Sequence, residues 1–545
     1  MEKAKAKSSR LKKLGILLVL SLSLAIIVID STVLNVSMQK LIEDLHTDIQ
    51  SIQWVVSIYS LVIAALTIAG GRMGDFFGRK KMFVLGAIIF AIGSLVSSFS
   101  TDVVTLLLGW SVIEGIGAAL MMPAASALII TNFQGKSLPL ALGLFGGIAG
   151  ASSALGPIVG GFLTTNASWH WAFRINIVIT LVLVAGSVLI KEARDEKVKR
   201  DIDFLGIFLS SISMVLIVFG VIESSTYGWI TAKQIFTIFG QDINLGSLSI
   251  VPVSIVLGLI LLAVFAWWEN RVEKRGRVPL VSVKLFANRQ YTSGVITTSV
   301  MSLGQTGLIF SLPIFLQSVV KLDAFETGVA LLPLSLAILV ASPLAITLAK
   351  RFQPRLIILA GLFINIIAVF VLRATVSVDA TASTLIPGML IYGFGMGLVM
   401  AQINNLTLSA VDPAQAGEAT GVSATMRQVG SSLGSAIIGA VFLSVFSSNL
   451  TDSVNNYPNI PQQAKTGMVQ FVEKASSGLV YRGASADQLP KEFAPITKGI
   501  KPAIVAGNQD ALLVSSGLIV LTVIAALNLP NTMKKDMPKS KVIVA

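Results

Sequence analysis

Apolar residues recur in long, nearly uninterrupted runs along the chain, and short polar stretches separate them. A bilayer core about 30 Å thick is crossed by roughly 20 apolar residues in an α-helix, which is the length that these runs reach. We therefore predict an all-α integral membrane protein with fourteen spans, at about 14–36, 51–70, 82–99, 103–131, 138–165, 171–190, 204–222, 247–268, 291–319, 327–349, 355–375, 385–409, 420–446 and 510–530.

The composition agrees with this prediction. Of the 545 residues, 54% are hydrophobic and 13% are charged, whereas soluble globular proteins carry about 25% charged residues. A chain with so few charged residues cannot cover its surface with polar groups in water. This excludes a soluble enzyme, a nucleic-acid-binding module and a disordered scaffold. The absence of cysteine and the presence of only two histidines exclude a disulfide scaffold and argue against a metal or haem site.

The net charge of +13 comes from lysines and arginines that concentrate in alternate loops. The loops on the side of the two termini hold about three quarters of these residues, and cytoplasmic loops carry such an excess. We therefore expect both termini in the cytoplasm and the protein in the cell membrane. The basic charge is then a topology signal with affinity for anionic membrane lipids, and no nucleic-acid partner is expected.

Two loops stand out between the predicted spans. The stretch 191–203 carries charges of both signs and follows the first six spans. The stretch 447–509 is polar, contains Pro458, Pro461, Pro490 and Pro495, and is too long for a passive connection. We predict that it is partly ordered, with a short helix near 463–475 or a hairpin, and that it rests near the outer mouth of the molecule. A mobile surface loop is the alternative.

One internal repeat is visible. The segment GGRMGDFFGRKKMF (70–83) follows the second span, and LAKRFQPRLIILAG (348–361) follows the tenth. Both segments place a basic turn between two spans. Parallel repeats of six-helix bundles are expected in one large transporter superfamily.

The first copy of the repeat has the pattern G-x-x-x-D-x-x-G-R-K, formed by Gly71, Asp75, Gly78, Arg79 and Lys80. The glycines permit a tight turn, and the charged residues can pair across domains or with lipid phosphate. If the basic residues only set the membrane topology, neither the glycines nor an aspartate at a fixed spacing would be needed. In this place the pattern resembles motif A of the major facilitator superfamily.

Further stretches resemble the 14-helix drug:proton antiporter branch of that superfamily. Residues 29–41 (IDSTVLNVSMQKL) are similar to its D-x-T-x-x-N-V signature at the outer end of span 1. In span 5, Gly156, Pro157, Gly160 and Gly161 resemble the G-P-x-x-G-G antiporter motif. A proline kinks a helix and glycines allow close packing, which gives a bendable seam. Similar phrases of that branch fall at WHWAFRIN (169–176), DFLG (203–206), LFANRQY (285–291) and MRQVGSSLG (426–434).

The resemblance implies a major facilitator fold of two six-helix bundles with an inserted helix pair. The substrate path would lie between the bundles near the midplane, and the protein would function as a monomer. The implied division is a basic N-terminus 1–13, an N-terminal bundle 14–190, a linker 191–203, an inserted pair 204–268, a C-terminal bundle 291–530 that includes the external loop 447–509, and a tail 531–545.

Asp30 and Glu114 are the candidate proton or cation sites, because each is an acid in an otherwise apolar span. The helical rise places them roughly 8–10 Å apart in depth, so we expect a water link rather than direct contact. Glu114 is also a candidate anchor for a cationic substrate. The alternatives are that Asp30 caps the outer end of span 1 facing water, and that Glu114 is a protonated acid bonded to a neighbouring helix as glutamine would be.

Span 4 departs from the pattern of the branch, which usually reads R-x-x-Q-G-x-G. Here Ser111 stands in place of the arginine and Glu114 in place of the glutamine. That arginine is implicated in proton coupling across the superfamily, so coupling by the usual residue does not carry over. We expect Glu114 to replace it through a different arrangement.

The remaining candidates concern the gate and the substrate cavity. Asp75 and Arg427 are expected to pair across the bundles as a cytoplasmic gate in the outward-open state, because Arg427 is the only basic residue near the start of span 13. The alternative is that each residue meets solvent or lipid. Motif A acids of the superfamily contact that helix. Candidate cavity residues, for each of which helix packing is the alternative role, are Asn35, Tyr59, Ser111, Met121 and Gln317.

The predicted function is export of amphipathic or cationic drugs in exchange for protons, by alternating access, with the proton gradient as the energy source and no cofactor. Export of a lipid or lysolipid on the same fold is the alternative. A non-transporting sensor is disfavoured because it has no reason to bury acids in the membrane. ATP-driven transport is disfavoured because no G-x-x-x-x-G-K-[ST] motif occurs.

Overall fold

The computed structural model describes residues 2–47, 49–133, 135, 137–192, 203–238, 241–412, 415–457, 461–481 and 494–531. These residues are mostly helical, in agreement with the predicted all-α class. The helices are α1 (Glu2–Asp44), α2 (Ile49–Phe77), α3 (Arg79–Ser97), α4 (Val103–Leu106), α5 (Gly115–Asn132), α6 (Ser137–Asn166), α7 (His170–Gly186), α8 (Phe204–Ile222), α9 (Ser224–Tyr227), α10 (Ile250–Lys274), α11 (Arg289–Ser318), α12 (Ala324–Ala330), α13 (Leu332–Leu348), α14 (Pro354–Thr375), α15 (Ala382–Leu408), α16 (Ala416–Asn455), α17 (Gln462–Tyr481) and α18 (Ala494–Ala526).

Fourteen segments of the described chain are long and apolar enough to cross a membrane. Each corresponds to one predicted span, so the predicted number of spans is confirmed. The largest difference is at the start of α18, which begins at Ala494 and not at 510, and α1 and α16 also extend beyond both predicted ends. These extensions contain polar residues, so hydropathy alone did not predict them.

The described helices surround two large buried cores. One core lies among α1 to α7 and includes Phe83, Phe90 and Phe173. The other lies among α11 to α18 and includes Phe315 and Phe442. We call these groups the N-terminal and the C-terminal bundle. Between them in sequence, α8 and α10 pack against each other, and α8 also packs against α2.

Gly78 marks one face of the molecule. It is the single residue between α2 and α3, and its φ of 110° is a conformation that glycine adopts without steric cost. We call the face at this turn the basic face. At the start of α14, Arg355 Nη1 donates to Asn531 Oδ1 at 3.0 Å. Consecutive spans run in opposite directions, so the turn after the tenth span lies on the same face as the turn after the second. Helix α14 therefore begins at the basic face, and its contact with Asn531 places the end of α18 there too.

The opposite face carries two features outside the spans. Strands β1 (Phe236–Ile238) and β2 (Gln241–Ile243) form an antiparallel hairpin between α9 and α10. It was not predicted, because strands of three residues show no clear alternation. The helix predicted near 463–475 is confirmed as α17. Its Val472 is buried in the C-terminal core, so this part of the long loop rests on the bundle.

Candidate functional site

Asp30 and Glu114 come together inside the N-terminal bundle, and Asn176 of α7 joins them. The Asn176 amide Nδ2 donates to Asp30 Oδ1 at 2.7 Å and to Glu114 Oε1 at 3.2 Å. All three side chains are buried, with exposed fractions of 3% for Asp30, 0% for Glu114 and 5% for Asn176. Because one amide reaches both acids, the expected water link between them is wrong in the described structure. The buried position of Asp30 also contradicts a role as a cap facing water.

Three more side chains complete this carboxyl cluster. Trp110 Nε1 donates to Asp30 Oδ2 at 2.6 Å, and Ser94 Oγ donates to Glu114 Oε1. Tyr59 stacks on Trp110 with ring centroids 4.5 Å apart. The buried atom Glu114 Oε2 has no hydrogen-bond partner in the described chain. The cluster therefore keeps an unpartnered carboxyl oxygen on which a proton can reside.

The local fold of span 4 places Glu114 against α3. Residues Leu107–Glu114 form a π-helical segment between α4 and α5, and such segments occur often at functional sites. The backbones pack closely here, because a Cβ atom at Gly93 would lie 2.5 Å from Glu114 N and 2.6 Å from Gly109 O. Glycine at these positions lets Ser94 reach the Glu114 carboxyl group.

No ion pair of Asp30 or Glu114 with a basic residue occurs in the described chain. Burial of a charged carboxylate without a cationic partner is costly, and two such charges that share one amide also repel each other. Uptake of a proton removes one of these charges. The arrangement can thus bind and release a proton within the bundle.

The glycine-rich stretch of span 5 lies beside the Asp30 segment. A Cβ atom at Gly156 would meet the Thr32 side chain and would lie 2.9 Å from Ile29 O, and one at Gly160 would lie 3.0 Å from Val33 Cα. Gly161 is buried next to Gly160, and Pro157 lies within α6. The G-P-x-x-G-G stretch therefore packs on the part of α1 that carries Asp30.

The same stretch of α6 also contacts the other bundle. A Cβ atom at Gly328 of α12 would lie 2.6 Å from Ile158 N. Because Ile158 lies between Gly156 and Gly160, one short segment of α6 touches both the Asp30 helix and the C-terminal bundle. This segment is a physical connection between the carboxyl cluster and the contact of the two bundles.

At the basic face, Asp75 contacts the start of α16. Its Oδ1 accepts from Arg79 Nε at 3.0 Å and Nη2 at 2.8 Å, and its Oδ2 accepts from the backbone N of Glu418 at 3.3 Å. The N-terminus of a helix carries partial positive charge, which a carboxylate stabilises. Asp75 therefore ties α2 of one bundle to α16 of the other.

An ion pair reinforces this contact between the bundles. Arg72 Nη1 lies 3.5 Å from Glu418 Oε2 and 3.7 Å from Asp75 Oδ2, and all three residues are buried. The backbone N of Ser282 donates to Glu418 Oε1 at 2.6 Å. We call Arg72, Asp75, Arg79 and Glu418 the gate. Glu418 was not predicted as a gate residue, because the predicted span 13 begins only at 420 and leaves this acid in a loop.

Glycines allow the helices of the gate to touch. A Cβ atom at Gly417 would meet the carbonyl oxygen of Gly71 and would lie 2.6 Å from Asp75 Oδ1. Gly78 supplies the turn beside the gate, and the backbone N of Lys80 donates to Glu192 Oε1 at 3.0 Å. The motif A residues thus lie where the two bundles meet at the basic face.

Arg427 does not take part in the gate, and the expected pair of Asp75 and Arg427 is wrong in this conformation. Its Nη2 donates to Met122 Sδ at 3.4 Å. Because α16 begins at Ala416, the helical rise places Arg427 about 16 Å along the helix, well inside the membrane. Glu418, about one turn into the same helix, forms the contact with Asp75 that was predicted for Arg427.

Arg427 instead lines a cavity between the bundles. The gate lies on the basic-face side of this cavity, since Thr420 of its lining is one turn beyond Gly417. Its other lining residues come from both bundles: Leu24, Met122, Ser126, Leu142, Phe145 and Ala149 from one, and Thr298, Asn404, Leu408, Ser423 and Ala424 from the other.

The candidate cavity residues fall elsewhere. Tyr59 belongs to the carboxyl cluster, and Ser111 Oγ donates to Val55 O at 2.6 Å. Met121 is buried in the N-terminal core, and Gln317 is next to the last residue of α11. None of these four residues lines the described cavity. Met122 lines it, whereas its neighbour Met121 does not. The side chain of Asn35 lies outside the described part of the structure.

Known proteins are similar to this chain in sequence. The Tetracenomycin C resistance and export protein of Streptomyces glaucescens is 28% identical over 513 residues, which cover 94% of this chain and 90% of that protein. The Puromycin resistance protein pur8 of Streptomyces alboniger is 31% identical over 449 residues, covering 80% and 83%. The Multidrug efflux pump LfrA of Mycolicibacterium smegmatis is 29% identical over 436 residues, covering 80% and 82%.

Among solved structures, the human organic anion transporter MFSD10 has a similar fold, with a TM-score of 0.58 at 14% identity, covering 94% of this chain and 99% of that one. The proton:xylose symporter XylE superposes with a TM-score of 0.56 at 12% identity, covering 95% and 96%. At these identities the likeness concerns the fold alone. The family model described as Major Facilitator Superfamily matches residues 20–435. This multi-pass membrane protein is therefore a member of the major facilitator superfamily.

Proposed function

We propose that this protein is a proton-coupled antiporter that exports amphipathic drugs across the cell membrane by alternating access. The observation that carries the proposal is the buried pair of Asp30 and Glu114, which has no basic partner in the described chain and shares one amide. The relatives reported above are named for resistance, export or efflux of drugs, which favours a drug over a lipid as the substrate. The proton gradient supplies the energy, without a cofactor, and the monomer is the working unit.

The cavity between the bundles is the proposed substrate site. We assign the basic face to the cytoplasm, because basic residues concentrate in the loops of that side. Substrate enters the cavity from the cytoplasm when the gate is open. Closure of the gate forms the contacts of Glu418 with Arg72 and Asp75 and separates the cavity from the cytoplasm.

The α6 segment at Gly156–Gly160 is the proposed link between proton and substrate. Loss or gain of a proton changes the charge beside Asn176 and Trp110, and with it the packing of the Asp30 segment of α1. Because α6 packs on this segment and also touches Gly328, a shift of α1 acts on the contact between the bundles. Protonation thereby changes the relative population of the two conformations.

Transport of two dyes tests the proposal. Rhodamine 123 is a cation and fluorescein is an anion at neutral pH, and both are amphipathic xanthenes. In everted membrane vesicles that contain the protein, an acidic lumen is expected to drive accumulation of at least one dye. An uncoupler is expected to abolish this accumulation. Accumulation of neither dye, or accumulation that the uncoupler leaves unchanged, contradicts proton-coupled export.

Replacement of Glu114 with glutamine is expected to flatten the pH dependence of transport and to lower the gradient-driven rate by about tenfold, the effect of about 1.4 kcal/mol. Glutamine retains a carbonyl acceptor for Ser94 and Asn176 but cannot take up a proton. The measurement is the initial rate of dye accumulation between pH 6 and 8.

Glu223→Gln is the matched control for this substitution. Glu223 is also a buried glutamate, and burial raises its pKa. It lies at the end of α8, away from the carboxyl cluster. A pH profile of Glu114→Gln that coincides with those of the wild type and of Glu223→Gln would assign Glu114 a purely structural role.

A further inference from the structure

We propose that the cavity between the bundles selects amphipathic substrates that carry an anionic group, a carboxylate or a phenolate, and that Arg427 binds this group. The inference rests on the proposed function and specifies the chemical class of its substrates. It departs from the sequence prediction of a cationic substrate anchored by Glu114.

The position of Arg427 is the first argument. It lies deep in α16 and lines the cavity, at a depth where a charged side chain is costly unless it meets a partner. Its described hydrogen bond goes to the Met122 thioether, which is a weak acceptor. No ion pair of Arg427 occurs in the described chain. The guanidinium group thus retains donors for a ligand.

The buried acids that could neutralise this arginine have other partners. Glu418, on the same helix, is bound by Arg72 and by the backbone N of Ser282. Asp30 and Glu114 are held within the N-terminal bundle by Asn176, and neither lines the cavity. A positive charge therefore faces the cavity, and none of the described lining residues places a carboxylate opposite it.

The rest of the described lining is neutral. It combines apolar side chains such as Leu142 and Phe145 with hydroxyl and amide groups such as Thr298 and Asn404. No acid is among the residues that line it, so a cationic group would meet only Arg427 as a charge. Arginine binds carboxylates through two parallel hydrogen bonds, which adds geometric selectivity to the attraction.

Binding of the two xanthene dyes to purified protein in detergent tests this inference by fluorescence anisotropy. Arg427→Gln is expected to weaken fluorescein binding at least about tenfold, the factor for 1.4 kcal/mol, and to leave rhodamine 123 binding unchanged or stronger. Arg427→Lys retains the charge without the planar fork and is expected to bind fluorescein with intermediate affinity.

Arg373→Gln is the control, since Arg373 lies at the end of α14 and bonds the carbonyl of Gln509, away from the cavity. It is expected to bind both dyes as the wild type does. Size-exclusion profiles of the variants establish that they are folded, and the lysine variant provides a second, conservative comparison at the same position.

The inference is overturned if the wild type does not bind fluorescein, if Arg427→Gln binds it equally well, or if both dyes lose affinity to the same extent. Failure of the proposed function gives a different result. Binding of fluorescein that depends on Arg427, without gradient-driven movement of either dye, would remove the antiporter and keep the anionic site. Gradient-driven transport of rhodamine 123 without fluorescein binding would keep the antiporter and remove the anionic site.

Discussion

Replacement of Asp30 with asparagine is expected to reduce gradient-driven dye accumulation to the level of protein-free liposomes. Asparagine has nearly the same shape and keeps an oxygen that accepts from Trp110, but it cannot bind a proton in the membrane. Exchange of labelled for unlabelled dye across the membrane, without a proton gradient, is expected to continue. Comparison of these two assays in proteoliposomes separates coupling from substrate movement.

Asp102→Asn is the matched control for Asp30→Asn. Asp102 caps α4 by accepting from the backbone N of Thr105, and asparagine caps helices about as well. The control is expected to transport the dye at the wild-type rate. Full gradient-driven accumulation by Asp30→Asn, at equal protein content, would remove Asp30 from the coupling mechanism.

Replacement of Gly417 with alanine is expected to hold the gate open and to reduce transport to background. The added Cβ atom would meet the carbonyl oxygen of Gly71, and backbone cannot move aside as the end of a side chain can. The two helices must therefore separate, which lengthens the contact of Glu418 N with Asp75. The variant retains helix propensity, since alanine favours helix by about 1 kcal/mol over glycine.

The opening can be measured with two spin labels at the basic face. The chain has no cysteine, so Lys81→Cys and Arg351→Cys introduce the only labelling sites. Both residues are exposed, one in each bundle. Double electron–electron resonance is expected to give longer distances when Gly417→Ala is added.

Gly517→Ala is the control for Gly417→Ala. No atom lies within 4 Å of a Cβ atom at Gly517, so the same substitution on α18 should leave both transport and the label distances unchanged. Normal transport and unchanged distances in Gly417→Ala would mean that this helix crossing is not part of the moving gate.

Much of the fold could be predicted from the sequence because a bilayer imposes one strong rule on a helix, its apolar length. The number of spans and the helix in the long loop follow from such local patterns. The helix ends do not, because polar residues such as Glu418 lie in α16 once the opposite bundle supplies partners. The same error in the start of this helix led to the assignment of Arg427 to the gate.

The partners of Asp30 and Glu114 in the carboxyl cluster could not be predicted from single spans either. Asp30 and Glu114 stood out as acids in apolar surroundings, whereas Asn176 was one polar residue in a matched phrase. Asparagine inside an apolar span is a signal that could have indicated it. The close approach of the two acids depends on helix packing and on the π-helical segment Leu107–Glu114, which no local pattern in the sequence indicates.

Proton movement driven by a dye gradient tests the central claim most directly. Proteoliposomes that contain the wild-type protein are loaded with the dye that it carries and are diluted into weakly buffered medium, and a pH electrode records the external pH. Outward flow of dye is expected to draw protons inward and raise the external pH, while Asp30→Asn and Glu114→Gln move dye with little or no pH change. Dye flow through the wild type without a pH change, or equal pH changes in all three proteins, would contradict proton exchange at the buried carboxyl cluster.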